Sequence, residues 1–175
     1  MRVVLICMLL IILTGCATTF SPTKTLAEGE GIAVARIHLS GSIPQAKLLT
    51  FNKNKSFDWY QFVAQHGVSI AVVSMPAGRH SFHKAVYLQG GELVEPDLTC
   101  IGEFDVKEGE VTYVGDVFFK IGDYSEYIVL SSHSYSIGLQ DNFELAMNEF
   151  HQKYPSLEGK YKVSNSVAAP FTCTK

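Results

Sequence analysis

The chain predicts a mainly β domain: an antiparallel sandwich of about seven strands with one amphipathic helix near its C-terminus. Three observations lead there. Short apolar stretches recur between residues 30 and 132, several with the period of two that marks a half-buried strand. Turn residues punctuate them, most clearly Met75-Pro76-Ala77-Gly78 and Lys107-Glu108-Gly109. A single segment near 141–157 changes to helical spacing.

Taken in order, Gly31 to Leu39 is strand-like although its two faces are poorly separated, and Lys47 to Phe51 is a short second strand. Val68, Ile70 and Val72 alternate with Ser69 and Ala71, as a half-buried strand requires. After the Pro76–Gly78 turn, Arg79 to Leu88 sets Phe82, Val86 and Leu88 on a mostly apolar face. Leu98 to Val106 and Glu110 to Lys120 follow as strands joined by a compact hairpin connection. Here Phe104, Val106, Val114 and Phe118 are expected on one face and Tyr113, Val117 and Phe119 on the other. A sheet apolar on both faces must be covered twice, by a second sheet and by the helix. Glu126 to Ser132 and Tyr161 to Val163 complete the strands.

The helix is read from Phe143, Met147, Phe150, Tyr154 and Leu157, which recur at helical spacing. Asp141 stands three residues before Glu144, a capping-box-like start, and Tyr154-Pro155 marks the end. The expected helix, near 141–155, packs through Phe143, Met147 and Phe150 and is structural. A helix this short is marginal alone, so burial of that stripe must stabilise it.

The N-terminus sets the compartment. Arg2 precedes an almost unbroken apolar run from Val3 to Leu13, too short to span a bilayer but of signal-peptide length. The run ends in Leu13-Thr14-Gly15-Cys16, which resembles the bacterial lipobox. The resemblance implies removal of residues 1–15 as a signal peptide, a diacylglycerol thioether on Cys16, and acylation of its new N-terminus. One acyl chain anchors weakly, whereas two or three hold a protein on the membrane. Ala17, rather than an acidic residue, follows the cysteine, and under enterobacteria-like sorting the resemblance implies transport to the outer membrane with the domain facing the periplasm. Residues 16–29 are expected as the lipidated cysteine and a flexible tether, and residues 30–175 as one domain.

Composition narrows the partners. Without Arg2 the chain carries 13 basic against 17 acidic residues, a net charge of −4. No cluster of Lys or Arg stands out, so nucleic-acid binding is not expected. With Cys7 in the signal and Cys16 lipidated, Cys100 and Cys173 remain, and an oxidising compartment favours joining them. Such a bridge would close a loop of about 74 residues, worth roughly 4 kcal/mol in chain entropy. A redox or metal pair is the alternative, although neither cysteine has a CxxC partner or a nearby histidine.

The stretch from Met75 to His80, followed by Gly102-Glu103-Phe104-Asp105-Val106-Lys107-Glu108-Gly109-Glu110-Val111-Thr112-Tyr113-Val114-Gly115-Asp116, carries a further likeness. It resembles bacterial lipoproteins with transthyretin-like or carboxypeptidase-regulatory-like β-sandwich domains. Their pattern is a "PAG" turn, a strand, and an F-x-V-x-x-G-x-x-Y-x-G hairpin. The helix end Lys153-Tyr154-Pro155-Ser156-Leu157 fits the same group. These are turn and core features, so the resemblance implies a fold rather than an activity. It covers roughly residues 30–160 and leaves out the segment Asn52 to Gly67.

Catalytic and metal chemistry find little footing. His80 and His83, three apart on a strand, should point to opposite faces, and Met147 with His151 offers no third ligand. There is no G-x-S-x-G, and Gly90-Gly91 lacks the Lys and Ser/Thr of a phosphate loop. No cofactor is expected beyond the lipid on Cys16. Trp59, Tyr60 and Phe62 form the best candidate partner surface, with core filling as the competing reading. The expected role is a non-catalytic envelope lipoprotein that binds or scaffolds a partner, in the envelope and anchored to its membrane. The alternatives are a periplasmic hydrolase acting on peptide or glycan and a carrier of an apolar ligand.

Overall fold

The computed structural model describes residues 20–23, 25–53, 58–122, 125–127, 130–167 and 171–174, with the backbone alone for 125–127, 130–132 and 171–174. The signal run, the lipobox and Cys16 lie outside the described residues.

Seven strands precede the turn at Lys107-Glu108-Gly109: β1 (Glu30–Ser40), β2 (Gln45–Asn52), β3 (Trp59–Gln65), β4 (Gly67–Pro76), β5 (Gly78–Gln89), β6 (Glu92–Val94) and β7 (Glu103–Val106). Then come β8 (Glu110–Ile121), β9 (Ser125–Tyr127), β10 (Leu130–Ser132) and β11 (Tyr135–Gln140). The helix α1 (Phe143–Lys153), β12 (Lys162–Asn165) and β13 (Phe171–Thr174) close the described chain. The first sheet runs β13-β11-β8-β1-β4, with β12 also on β8; the second runs β3-β2-β5-β6, with β7 also on β5. The steps from β1 to β2, β3 to β4, β4 to β5 and β7 to β8 each pass from one sheet to the other, as a sandwich requires. The fold class is therefore a β-sandwich with one C-terminal helix. Antiparallel pairs dominate it, and the parallel pairs β1–β8 and β8–β12 lie at its centre.

The two faces of the first sheet are covered differently. Between the sheets, Ile37, Val73, Met75, Val117 and Phe119 meet Leu48, Phe62, Phe82, Phe104 and Val106. On the outer face, Ile32, Val34, Ile70, Val111 and Tyr113 meet Ala146, Met147 and Phe150 of α1 and Leu157 beyond it. This double cover explains why β1 shows no clean alternation: Val34 and Ala35, adjacent in sequence, are both fully buried, one against each layer. The helix stripe is as expected, with Met147 and Phe150 buried and Phe143 packed at its edge. The cap differs in detail: Asn142 holds the N-cap position, while Asp141 Oδ1 accepts from the Phe143 N–H at 3.1 Å.

Several expectations are corrected. Lys107-Glu108-Gly109 is not a hairpin connection, because β7 pairs with β5 in the second sheet and β8 with β1 in the first. Leu98 to Ile101 is not strand; Thr99–Ile101 is a 3-10 turn. Trp59–Gln65, in the segment the family resemblance leaves out, is strand β3. Phe20 and Leu26 pack against the outer-face core, and the Gly29 N–H donates to Glu108 Oε1. Two apolar side chains in an otherwise polar stretch gain more from that core than from water.

The face assignments within β8 and β5 fail for one reason. Opposite β1, Tyr113 faces Val34 and Gly115 faces Ala35, so β8 carries one extra residue. Opposite β2, Phe82 faces Thr50 and Lys84 faces Leu49, so β5 does the same. A bulge reverses the phase of everything beyond it. Val114, Val117 and Phe119 consequently point inward with Phe104 and Val106, while Tyr113 points to the helix. Phe118 stacks on His38 at a ring distance of 4.1 Å instead of joining Val114. In β5, Ala85 and Tyr87 enter the core with Phe82, and Leu88 is exposed.

Gly115 makes the β8 bulge possible. Its φ is +125°, and a Cβ there would collide with Leu139 Cδ1. Gly115→Ala is expected to destabilise the domain by about 2–4 kcal/mol through backbone strain and overpacking. Urea unfolding measures this, and an unchanged midpoint would show that the bulge is not built around glycine.

Candidate functional site

Strand alternation divides the sequence-predicted aromatic surface. Phe62 is fully buried between the sheets, so it is core. Tyr60 shares its face, half-buried, with its ring edge-on to His80 at 5.7 Å. Trp59 points the other way and is 50% exposed. Beside Trp59 stand Phe51, paired with it across β2–β3, and His83, with ring distances of 5.8 and 5.1 Å. His80 and His83 do point to opposite faces.

The same outward face of the second sheet continues along β5 to Leu88 and Leu93, 64% and 62% exposed. There an apolar groove of about 350 Å³ is lined by Pro44, Ala46, Lys47, Val86, Leu88 and Leu93. No described element covers this face, whereas α1 and the 20–29 segment cover the outer face of the first sheet. Aromatic and aliphatic side chains on an uncovered sheet, with Lys47 and Lys84 between them, can supply apolar contact area with polar margins.

A second constellation escaped the sequence reading. Arg36 and His38 project from one face of β1, and Asp116 lies opposite Arg36 on β8. The Arg36 guanidinium donates through Nε and Nη2 to both oxygens of Glu149 on α1, each at 2.9 Å, and through Nη1 to Asp116 Oδ2 at 2.9 Å. The pair with Glu149, then that with Asp116, holds the guanidinium pKa above its ordinary value against the opposing effect of burial. Tyr113 Oη donates to Asp116 Oδ1 at 2.7 Å, and Asn142 Nδ2 donates to Asp116 Oδ2 at 2.9 Å. Tyr113 Oη in turn accepts from the Asn142 N–H. His38 Nε2 lies 2.7 Å from Arg36 Nη1, which donates to it. Burial, then the bond to Asp116, pushes the Tyr113 pKa far upward, so the phenol stays protonated.

The bulge is what assembles this cluster, because Tyr113 and Asp116 are three residues apart and would otherwise point to opposite faces. The Asp116 carboxylate is fully buried and both oxygens are engaged. It therefore fastens the start of α1 to the sheet and offers no open edge to a substrate proton. One sequence signal pointed to it: an aspartate inside Val114-Gly115-Asp116-Val117-Phe118-Phe119 must be buried, and a buried carboxylate needs partners. Among the described residues no three His, Cys, Asp or Glu side chains converge for a metal.

Cys100 is not on a strand but in the 3-10 turn Thr99–Ile101, and it is disulfide-bonded. Cys173 lies on β13 opposite Ile137, and β13 runs against that turn; its side chain lies outside the described residues.

No family model matches the chain, and no curated protein does. Among solved structures it is similar to a leucine-rich repeat protein of Bacteroides thetaiotaomicron, with a TM-score of 0.36 and 9% identity over 65% of this chain. The likeness spans 23% of that protein's length and is too weak to carry an argument about either fold or function.

His80 generates a pH prediction. It is fully buried, its Nε2 donates to the Pro76 carbonyl at 2.8 Å, and Nδ1 has no hydrogen-bond partner. Burial lowers its pKa from the ordinary value of 6.5. The unfolded chain therefore takes up the proton first as pH falls. His80 should contribute a loss of stability that sets in below about pH 6.5 and grows until the folded pKa is reached. Urea midpoints between pH 7.5 and 5 test this, with His80→Gln expected to flatten the slope; an equal slope in that variant would assign the effect elsewhere.

Proposed function

We propose that this protein is a bacterial envelope lipoprotein, held on the periplasmic side of the outer membrane by lipid on Cys16, with a non-catalytic binding role. The anchor rests on the apolar run ending in Leu13-Thr14-Gly15-Cys16. The observation that carries the binding role is the asymmetry of the sandwich. One outer sheet face is sealed by a helix, and the other presents Trp59, Phe51, Leu88 and Leu93 with no described cover. Contiguous exposed apolar patches mark interaction sites. The buried Asp116 cluster supports the same reading, since its most polar groups are spent on fastening α1. A bridge between Cys100 and Cys173 belongs to this reading as well, tying β13 to the body of the domain in an oxidising compartment.

Cys16→Ser should leave unprocessed precursor that takes up no radiolabelled fatty acid; normal labelling of that variant would reject the anchor. In cells, a photo-crosslinker at Gln61, beside Trp59 on β3, should give adducts that Trp59→Ala abolishes. Trp59 is half exposed and packs on Phe51 and His83, so that change should cost about 1–2 kcal/mol, which a urea midpoint reads separately from the loss of adducts. An identical adduct pattern in Trp59→Ala would remove this face from the binding role. Alkylation of the denatured, unreduced protein should find neither Cys100 nor Cys173 free; labelling of both would reject their pairing.

A further inference from the structure

We infer that the helix-bearing face of the sandwich meets the lipid headgroups, so that the Trp59 face is turned toward the aqueous space. This rests on the proposed lipid anchor at Cys16. The argument begins with Phe20. Its ring packs edge-on against Tyr154 at the end of α1, with centroids 5.4 Å apart, and it joins the core beneath the helix together with Leu26. The chain is thus fastened to the domain only four residues after Cys16. Four residues reach at most about 14 Å even when fully extended. A leash of 16–29 would have let the domain tumble; a leash that stops at Phe20 does not. The membrane attachment lies within that reach of the helix-bearing face.

The surface around Phe20 suits this position. Lys153, Lys160 and Lys162 are exposed on this helix-bearing face; the first two lie over the rings of Tyr154 and Tyr161 at 5.5 and 5.1 Å, and Lys153 Nζ also donates to the Ile70 carbonyl at 2.9 Å. Tyrosine beside lysine is a common composition at the membrane–water boundary, where the ring sits at headgroup depth and the ammonium meets anionic lipid. Glu158 is exposed in the same region and Glu110 pairs with Lys162, so the leash, not the net charge, sets the orientation. Trp59 is three layers away. It stands on the outer face of the second sheet, beyond the inter-sheet core and the first sheet. Packed sheets lie about 10 Å apart, so Trp59 is well removed from a membrane that touches α1.

The chain has a single tryptophan, which makes the test direct. The full-length mature lipoprotein is reconstituted into phosphatidylethanolamine–phosphatidylglycerol vesicles containing dansyl-labelled phosphatidylethanolamine. Energy transfer to the dansyl headgroups is read from Trp59, and from Lys160→Trp and Gln152→Trp, each in a Trp59→Phe background. Both new positions are exposed, so at least one should fold normally. Transfer from 160 and 152 should exceed that from 59 several-fold. A Gly/Ser insertion of about 20 residues after Ala17, with a mean reach of about 25 Å, should erase most of the difference. Equal transfer from all three positions, or more from Trp59, in protein that floats with the vesicles would overturn the orientation. Protein that lacks the acyl mass and does not float would overturn the anchor itself, so the two failures read out separately.

Discussion

The structure depends on one strand pair that has no solvent-facing side. β1 and β8 run parallel through the centre of the first sheet, covered on one face by the second sheet and on the other by α1. Parallel pairs are found where both faces are covered, and both strands are correspondingly rich in Val, Ile, Ala and Phe. The second sheet and the helix each cover one face of this pair. The second sheet supplies Leu48, Phe62, Phe82 and Phe104; the helix supplies Ala146, Met147 and Phe150. Phe20 and Leu26 extend the second layer with residues from before the first strand.

Covering that pair with a helix creates a problem of polarity, because the outer face of β8 carries Asp116 and that of β1 carries Arg36. A buried carboxylate without partners is far more costly than any apolar contact nearby can offset. The molecule meets this by making the polar groups the helix's own attachment. Asn142 at its cap and Glu149 two turns on both close the network around Asp116 and Arg36. Removing Arg36 would cost about 3–5 kcal/mol, because it leaves the fully buried Asp116 carboxylate without its cation. What the network does provide is register. The observed seating of α1 satisfies Asp116, Arg36 and Tyr113 at once.

That seating divides the molecule into a closed side and an open side. The closed side holds α1, with Phe20 and Leu26 packed against the same outer-face core. The open side holds β2, β3 and β5 with Trp59, Phe51, His83 and the Leu88–Leu93 groove. With the proposed anchor on the closed side, a sheet face that no described element covers lies on the other, a division that fits the proposed binding role. The binding reading draws its support from this division and not from a catalytic constellation.

By itself the sequence determined the fold class, the helix with its Phe143–Met147–Phe150 stripe, and the expectation that the β8 region is covered twice. These follow from local periodicity and composition, which need no knowledge of neighbours. It also carried Leu13-Thr14-Gly15-Cys16, whose resemblance to a lipobox is a linear signal behind the proposed anchor. What only the tertiary structure decided is which way side chains point beyond the two bulges. An extra residue is invisible until the partner strand is known, yet it carries Tyr113 and Asp116 to one face and Leu88 to the outside. The pairing of β7 and β8 with different sheets was hidden for the same reason, since a Gly-containing turn serves a hairpin and a crossover equally well. Trp59 and Phe62 were one cluster in sequence and became surface and core, because the period of a strand separates neighbours that a linear reading groups together.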